Sequence, residues 1–119
     1  MKLRIHAESI RLRLKQAEVK ALTGGGEVVE RCPTLPVALE YALRPDDGVT
    51  ELVAASDGAR LTVRIPAGWL AGWDVDERVG FESTSGGIHL LIEKDFKCTL
   101  PASPADNEDC YENPVACGG

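Results

Sequence analysis

The tightest constraint in this chain is an alternation of apolar and charged side chains that keeps restarting and never runs long. Leu3 and Ile5 alternate with Lys2, Arg4 and His6; Ile10, Leu12 and Leu14 alternate with Ser9, Arg11 and Arg13; Leu61, Val63 and Ile65 share one face of Arg60 to Ile65. A period of two turns one side of each segment inward and the other to solvent, as in a half-buried strand. Glycine and proline clusters punctuate these runs at Gly24-Gly25-Gly26, Pro33 and Pro36, Pro45-Asp46-Asp47-Gly48, Ser56-Asp57-Gly58-Ala59 and Ser85-Gly86-Gly87. Further strands are expected at Glu27 to Cys32, Val37 to Leu43, Val49 to Ala54, Arg78 to Ser83 and Ile88 to Glu93. Two short helical segments interrupt them. One is Lys15 to Leu22, stopped by the three glycines; the other is opened by Pro66 and carries Trp69 and Trp73 four residues apart. About eight strands without a repeated strand-helix-strand unit predict a mostly-β, α+β domain built as a curled antiparallel sheet or small barrel.

A chain of 119 residues suits one domain. The predicted domain is 1–98, followed by an acidic, extended tail, 99–119, that holds Pro101, Pro104, Pro114 and no periodic pattern. The net charge is -6, distributed unevenly: residues 1–31 carry seven Lys and Arg against four Asp and Glu, and the rest of the chain is acidic. An acidic protein repels phosphate backbones, which argues against nucleic acid as a partner. No apolar run is long enough to span a membrane, and the alternating N-terminus lacks a signal peptide's apolar core, so a cytoplasmic protein is expected.

In that compartment cysteines are free thiols or metal ligands more often than disulfides. Cys98, Cys110 and Cys117 can supply three thiolates to zinc, with His89, His6 or Cys32 as a fourth ligand. Their spacing fits no compact zinc knuckle, so buried or loose thiols, or a Cys110–Cys117 or Cys98–Cys110 disulfide, are the competing readings. Asp106, Glu108, Asp109 and Glu112 lack the spacing of a calcium loop. His6 and His89, both in expected strands, could do acid-base chemistry if one pocket took both, but alternation leaves the facing of His89 open because Leu90, Leu91 and Ile92 are all apolar. No nucleophile elbow, Walker loop or dinucleotide fingerprint occurs, and no enzyme is expected.

Arg4, Arg11 and Arg13, with Lys2 and Arg64 as possible neighbours, form the one basic stripe. Facing inward it would suit a phosphate ligand; facing outward its charges would pair with Glu40 or Glu51 across strands. Trp69 and Trp73 are candidates for a partner surface, since aromatic side chains anchor interfaces, but glycines beside both place the turn close against another surface, so at least one indole is expected to pack on the domain's own core and the other at its edge or in a homodimer contact. The leading expectation is a binding or interaction module whose partner is a protein or a second copy of the chain. A phosphate-ligand-binding protein using the Arg stripe is one alternative. A DNA-binding regulator is the other, because Leu61 to Phe81, with Ile65-Pro66 and Arg78-Val79-Gly80, resembles the swapped-hairpin domain of transition-state regulators and antitoxins.

Three patches carry a wider resemblance. They are Met1 to Ile5 with Ser9 to Leu14 and Glu18-Val19; Ile65-Pro66 to Trp73 with Val79-Gly80; and Glu93-Lys94-Asp95-Phe96 with Cys98, followed by Glu108-Asp109 and Asn113-Pro114. In this order they resemble a family of small bacterial proteins of unknown function. The resemblance implies a cytoplasmic bacterial domain and brings no activity with it. Cys110 and Cys117 depart from the family's pattern, so it implies no shared metal site.

Overall fold

The computed structural model describes residues 1–96 and Tyr111. The alternating segments form eight strands: β1 (Lys2–His6), β2 (Ser9–Leu14), β3 (Val28–Cys32), β4 (Leu39–Asp46), β5 (Val53–Asp57), β6 (Arg60–Pro66), β7 (Gly80–Ser85) and β8 (Ile88–Lys94). They make two four-stranded sheets, ordered β1-β2-β8-β7 and β3-β4-β6-β5. Each sheet consists of two antiparallel hairpins joined by a central parallel pair, β2 with β8 and β4 with β6. The second sheet is nested in sequence between the two hairpins of the first.

The alternation decides what lies between the sheets. Ile10, Leu12, Leu14, Leu90 and Ile92 of the first sheet and Val28, Leu43, Val63 and Ile65 of the second belong to one buried cluster with Leu52, Leu70 and Trp73. Helix α1 (Gln16–Thr23) adds Val19 and Leu22 to that core. Its first turn is held by the Glu18 carboxylate, which accepts the Lys15 amide at 2.9 Å. At its end the amides of Gly24 and Gly26 donate to the carbonyls of Lys20 and Ala21. The Met1 ammonium lies between Glu18 and Glu30, and Tyr41 Oη donates to the Met1 carbonyl at 2.9 Å, tying the start of β1 to α1, β3 and β4.

The expected mostly-β domain is therefore present. The expected antiparallel curl or barrel is corrected to two mixed sheets that do not close. Alternation reports that a segment is buried on one side and is silent about its neighbour, and the two parallel pairs join segments far apart in the sequence. The second helical segment shrinks to a 3₁₀ turn, Ala67–Leu70, which ends before Trp73. Gly68 and Gly72, the latter at φ +75°, are poor helix formers, so the two indoles do not share a helix face. Pro45, expected in a turn, is still paired within β4, opposite Ile65 of the parallel neighbour, and the turn follows the strand's last residue, Asp46, whose Oδ1 accepts the Gly48 amide at 2.7 Å. The expected tail lies outside the described residues except for Tyr111. That residue bridges to Phe96, donates its amide to the Asp95 carbonyl at 2.7 Å and packs against the core.

Candidate anion-binding site

Strand register places the polar side chains of β1, β2, β8 and β7 in three rows across the outer face of the first sheet. Lys2, Arg13, Glu93 and Gly80 make the first row; Arg4, Arg11, Leu91 and Glu82 the second; His6, Ser9, His89 and Thr84 the third. Arg4, Arg11 and Arg13 thus lie on an outer face, together with both histidines of the protein.

Charge is balanced unevenly along these rows. Glu93 accepts Arg13 Nε at 2.9 Å and lies 3.4 Å from Arg11 Nε, while Lys2 Nζ lies 3.2 Å from Asp95 Oδ2. The expected partners Glu40 and Glu51 are corrected to Glu93, because the parallel β2–β8 pairing brings Glu93 directly beside Arg13. Arg64 belongs to the other sheet and faces Asp46 at 3.7 Å. Arg4 stands directly opposite Arg11 and has no carboxylate partner among the described residues. Two like charges in that relation destabilise a strand pair by a few tenths of a kcal/mol, about the cross-strand range.

Beside this pair the surface is hollow. A shallow cleft of about 260 Å³ is lined by Arg4, His6, Ser9, Arg11, His89 and Leu91. A smaller one of about 190 Å³, lined by Lys2, Leu3, Arg4, Arg11 and Arg13, adjoins it toward the first row. The hairpin tip is pinned where Glu8 O accepts the His89 amide at 2.8 Å, next to Ala7, whose φ of +50° is uncommon for a residue with a side chain. His89 Nε2 lies 3.2 Å from Glu82, which orients the imidazole from the β7 side. The sequence left the facing of His89 open; the structure brings it into one cleft with His6, across the width of β2.

Cys98, Cys110 and Cys117, the other expected zinc ligands, lie outside the described residues. Among the described residues no group of three or more His, Cys, Asp or Glu could hold a metal ion, and Cys32 is exposed. His89 is the second residue of β8, and five residue steps of strand, about 16 Å, separate it from Lys94, where the strand ends.

Trp69 and Trp73 sit at another part of the core. Trp73 is wholly buried in the core and is the packed member expected of the pair, so it offers no face to a partner. Its ring centre lies 4.9 Å from that of Phe81 and its Nε1 donates to Arg78 O at 2.9 Å. Trp69, half-buried, stacks on the same Phe81 at 5.7 Å. The loop after them is internally satisfied: Arg78 pairs with Asp76 and donates to the carbonyls of Trp69 and Ala71. Desolvation pushes the Asp76 carboxyl up, and the hydrogen bonds and charge of Arg78 outweigh it, leaving the group below the usual carboxylate range.

Sequence reasoning did not single out Lys94. It is 4% exposed, donates to Asp76 O at 2.7 Å, and lies 5.8 Å from the ring centre of Trp73 and 5.0 Å from that of Tyr111. Burial pushes its ammonium below the ordinary lysine range, with Asp76 acting in the opposite direction. Asp95 is as buried as Lys94, and nothing in Glu93-Lys94-Asp95 marks the lysine as the residue that meets Trp73; the strand's phase does.

Leu61 to Phe81 spans β6, the 3₁₀ turn and the start of β7, so the stretch is divided between the two sheets rather than forming one hairpin. Among the described residues no helix is long and apolar enough to cross a membrane. No curated protein and no solved structure matches the chain. One family's sequence model matches residues 1–115, so the chain belongs to a family of unknown function (DUF7009).

Proposed function

We propose that the protein is a binding module whose ligand presents a compact anionic group, phosphate or carboxylate, to the face formed by β1, β2 and β8. One observation carries the reading: Arg4 faces Arg11 with no carboxylate of its own among the described residues, beside a cleft that His6, Ser9 and His89 complete. Guanidinium groups hold oxyanions through paired N–H donors, and hydroxyl and imidazole N–H groups add further donors. The cleft of about 260 Å³ has room for such a group, and past His6, Ser9 and His89 it meets a shallow hollow of about 420 Å³ that Thr84 and Gly87 also line. The protein's net charge of -6 supports a local contact over a long polyanion, and the nucleic-acid alternative is correspondingly disfavoured.

The test is a titration of ¹⁵N-labelled protein with inorganic phosphate and pyrophosphate at low ionic strength. Backbone signals of Arg4, Ser9, Arg11 and His89 should move together. Arg4→Gln should weaken binding about tenfold, the loss of one charge-assisted contact, and Arg64→Gln on the other sheet should leave it unchanged. Equal effects of the two substitutions, or shifts scattered over every basic residue, would show general charge attraction and refute the site.

A further inference from the structure

We infer that β1 is a docking edge for an extended acidic peptide, which would add to the sheet as a fifth strand. The inference rests on the anion-binding reading in its use of Arg4, and it names the class of ligand that carries the anion.

Among the described residues β1 pairs only with β2, so one side of its backbone has no strand partner. Such an edge is a template for main-chain pairing. Its two faces differ in character. Lys2, Arg4 and His6 point to the outer face and are exposed; Leu3 and Ile5 point to the core side. Leu3 packs on the buried cluster, whereas Ile5 is 59% exposed, the only large apolar side chain within the strands of this sheet left in that state. A strand laid along β1 would cover Ile5 with its own apolar residues and set the alternate residues beside Lys2, Arg4 and His6. The complementary sequence alternates acidic with apolar side chains over about five residues, the length of β1.

A second copy of β1 fits poorly. Antiparallel pairing about a two-fold axis would centre on Arg4, the middle residue of Lys2–His6, and set it against its own image, with Lys2 facing His6. Like charges directly opposed disfavour the pair, whereas carboxylates in the same places satisfy Arg4, which has no such partner among the described residues. Charge on an edge strand that deters self-pairing therefore selects for an acidic strand.

The experiment uses the full chain and two seven-residue peptides of identical composition, one alternating Glu and Val, the other with the Glu residues grouped, each titrated calorimetrically. The alternating peptide should bind at least tenfold more tightly, and it should slow amide hydrogen exchange within Leu3–His6. Methylating every second backbone nitrogen of the peptide, in either of the two possible phases, should abolish binding in one phase and spare it in the other, because only one edge of an added strand pairs with β1. Arg4→Glu should weaken binding tenfold or more, and Arg64→Glu should not. Equal affinity for the two peptides, or protection appearing along β3 or β5 instead, would overturn the proposal. If pyrophosphate still shifts Arg4 and His89 in that case, the anion site stands and only the strand proposal falls.

Discussion

Trp73 and Trp69 offer a direct test of how the core is closed, because the structure assigns the two indoles opposite weights. Trp73 is fully buried, and removing an aromatic side chain of that kind costs about 3–5 kcal/mol through lost transfer free energy and the cavity left behind. Trp73→Phe separates the contributions. The smaller ring leaves roughly 40 Å³ unfilled, worth about 1 kcal/mol at ~24 cal/mol per Å³. Losing the Nε1–Arg78 O bond adds about 0.5–1.5 kcal/mol, toward the low end because Arg78 is exposed and water can reach it. The expected cost is thus about 1.5–2.5 kcal/mol for Trp73→Phe and about 4 for Trp73→Ala. Trp69→Ala removes a half-buried ring that stacks on Phe81 and should cost about 1–2 kcal/mol. For a chain of this length each kcal/mol corresponds to about 4 °C in Tm. Urea unfolding followed by far-UV circular dichroism, which does not depend on the indole probes, gives the three numbers. A loss from Trp69→Ala equal to that from Trp73→Ala, or a loss below about 1.5 kcal/mol for the latter, would refute the assignment of Trp73 to the space between the sheets.

Three further outcomes follow from packing and protonation. Gly80→Ala should destabilise by about 3 kcal/mol or more, since a Cβ there would lie 2.0 Å from Ile92 O and 2.7 Å from Glu93 Cα; equilibrium unfolding measures it, and a near-neutral result would show that β7 shifts freely. Lys94→Met should stay within about 1 kcal/mol of the parent while Lys94→Ala costs about 2–3, because the aliphatic stem fills space and Asp76 keeps Arg78 as its partner; equal losses would show that the charge matters more than the stem. Burial, aided by Glu30 and Glu18, raises the pKa of Tyr41 above 10.0, so the folded state holds its proton longer than the unfolded state. Its contribution is complete below pH 10 and is lost as pH rises through the folded pKa. Urea midpoints measured from pH 9 upward should therefore fall more steeply for the parent than for Tyr41→Phe, and parallel profiles would contradict this.

Some of this fold was legible in the residues and some was not, for definite reasons. Lys2–His6 and Ser9–Leu14 coincide with their expected limits because each alternates cleanly and ends at a break in that alternation. The outer placement of the Arg stripe follows from the same alternation. The partner strand does not, since β8 lies almost eighty residues further along the chain. Leu90, Leu91 and Ile92 are apolar on both faces, which hid the phase of β8 and with it the facing of His89 and Lys94. Only Leu90 and Ile92 reach the core, and Leu91 lines the outer cleft. The tryptophan spacing suggested a helix, but two glycines flanking Trp69 shortened it to a single 3₁₀ turn, and burial of Trp73 then depended on the sheet beneath it.

The parallel pairing of β2 with β8 links the core to the candidate site. Leu90 and Ile92 of β8 enter the core beside Ile10 and Leu12, and the alternate residues His89, Leu91 and Glu93 fall beside Ser9, Arg11 and Arg13. A register shift of one residue would expose the apolar set and bury the charged one, so hydrophobic burial fixes which polar groups meet on the outside. Glu93 is thereby held against Arg11 and Arg13, while Arg4, toward the His6 end of the face and next to the open edge of β1, has no carboxylate partner among the described residues. On this face of the first sheet the charge balance therefore favours anions most at that corner. Glu93→Gln would extend that preference along the whole stripe, raising affinity for long polyanions, most clearly at low salt where exposed charges are least screened.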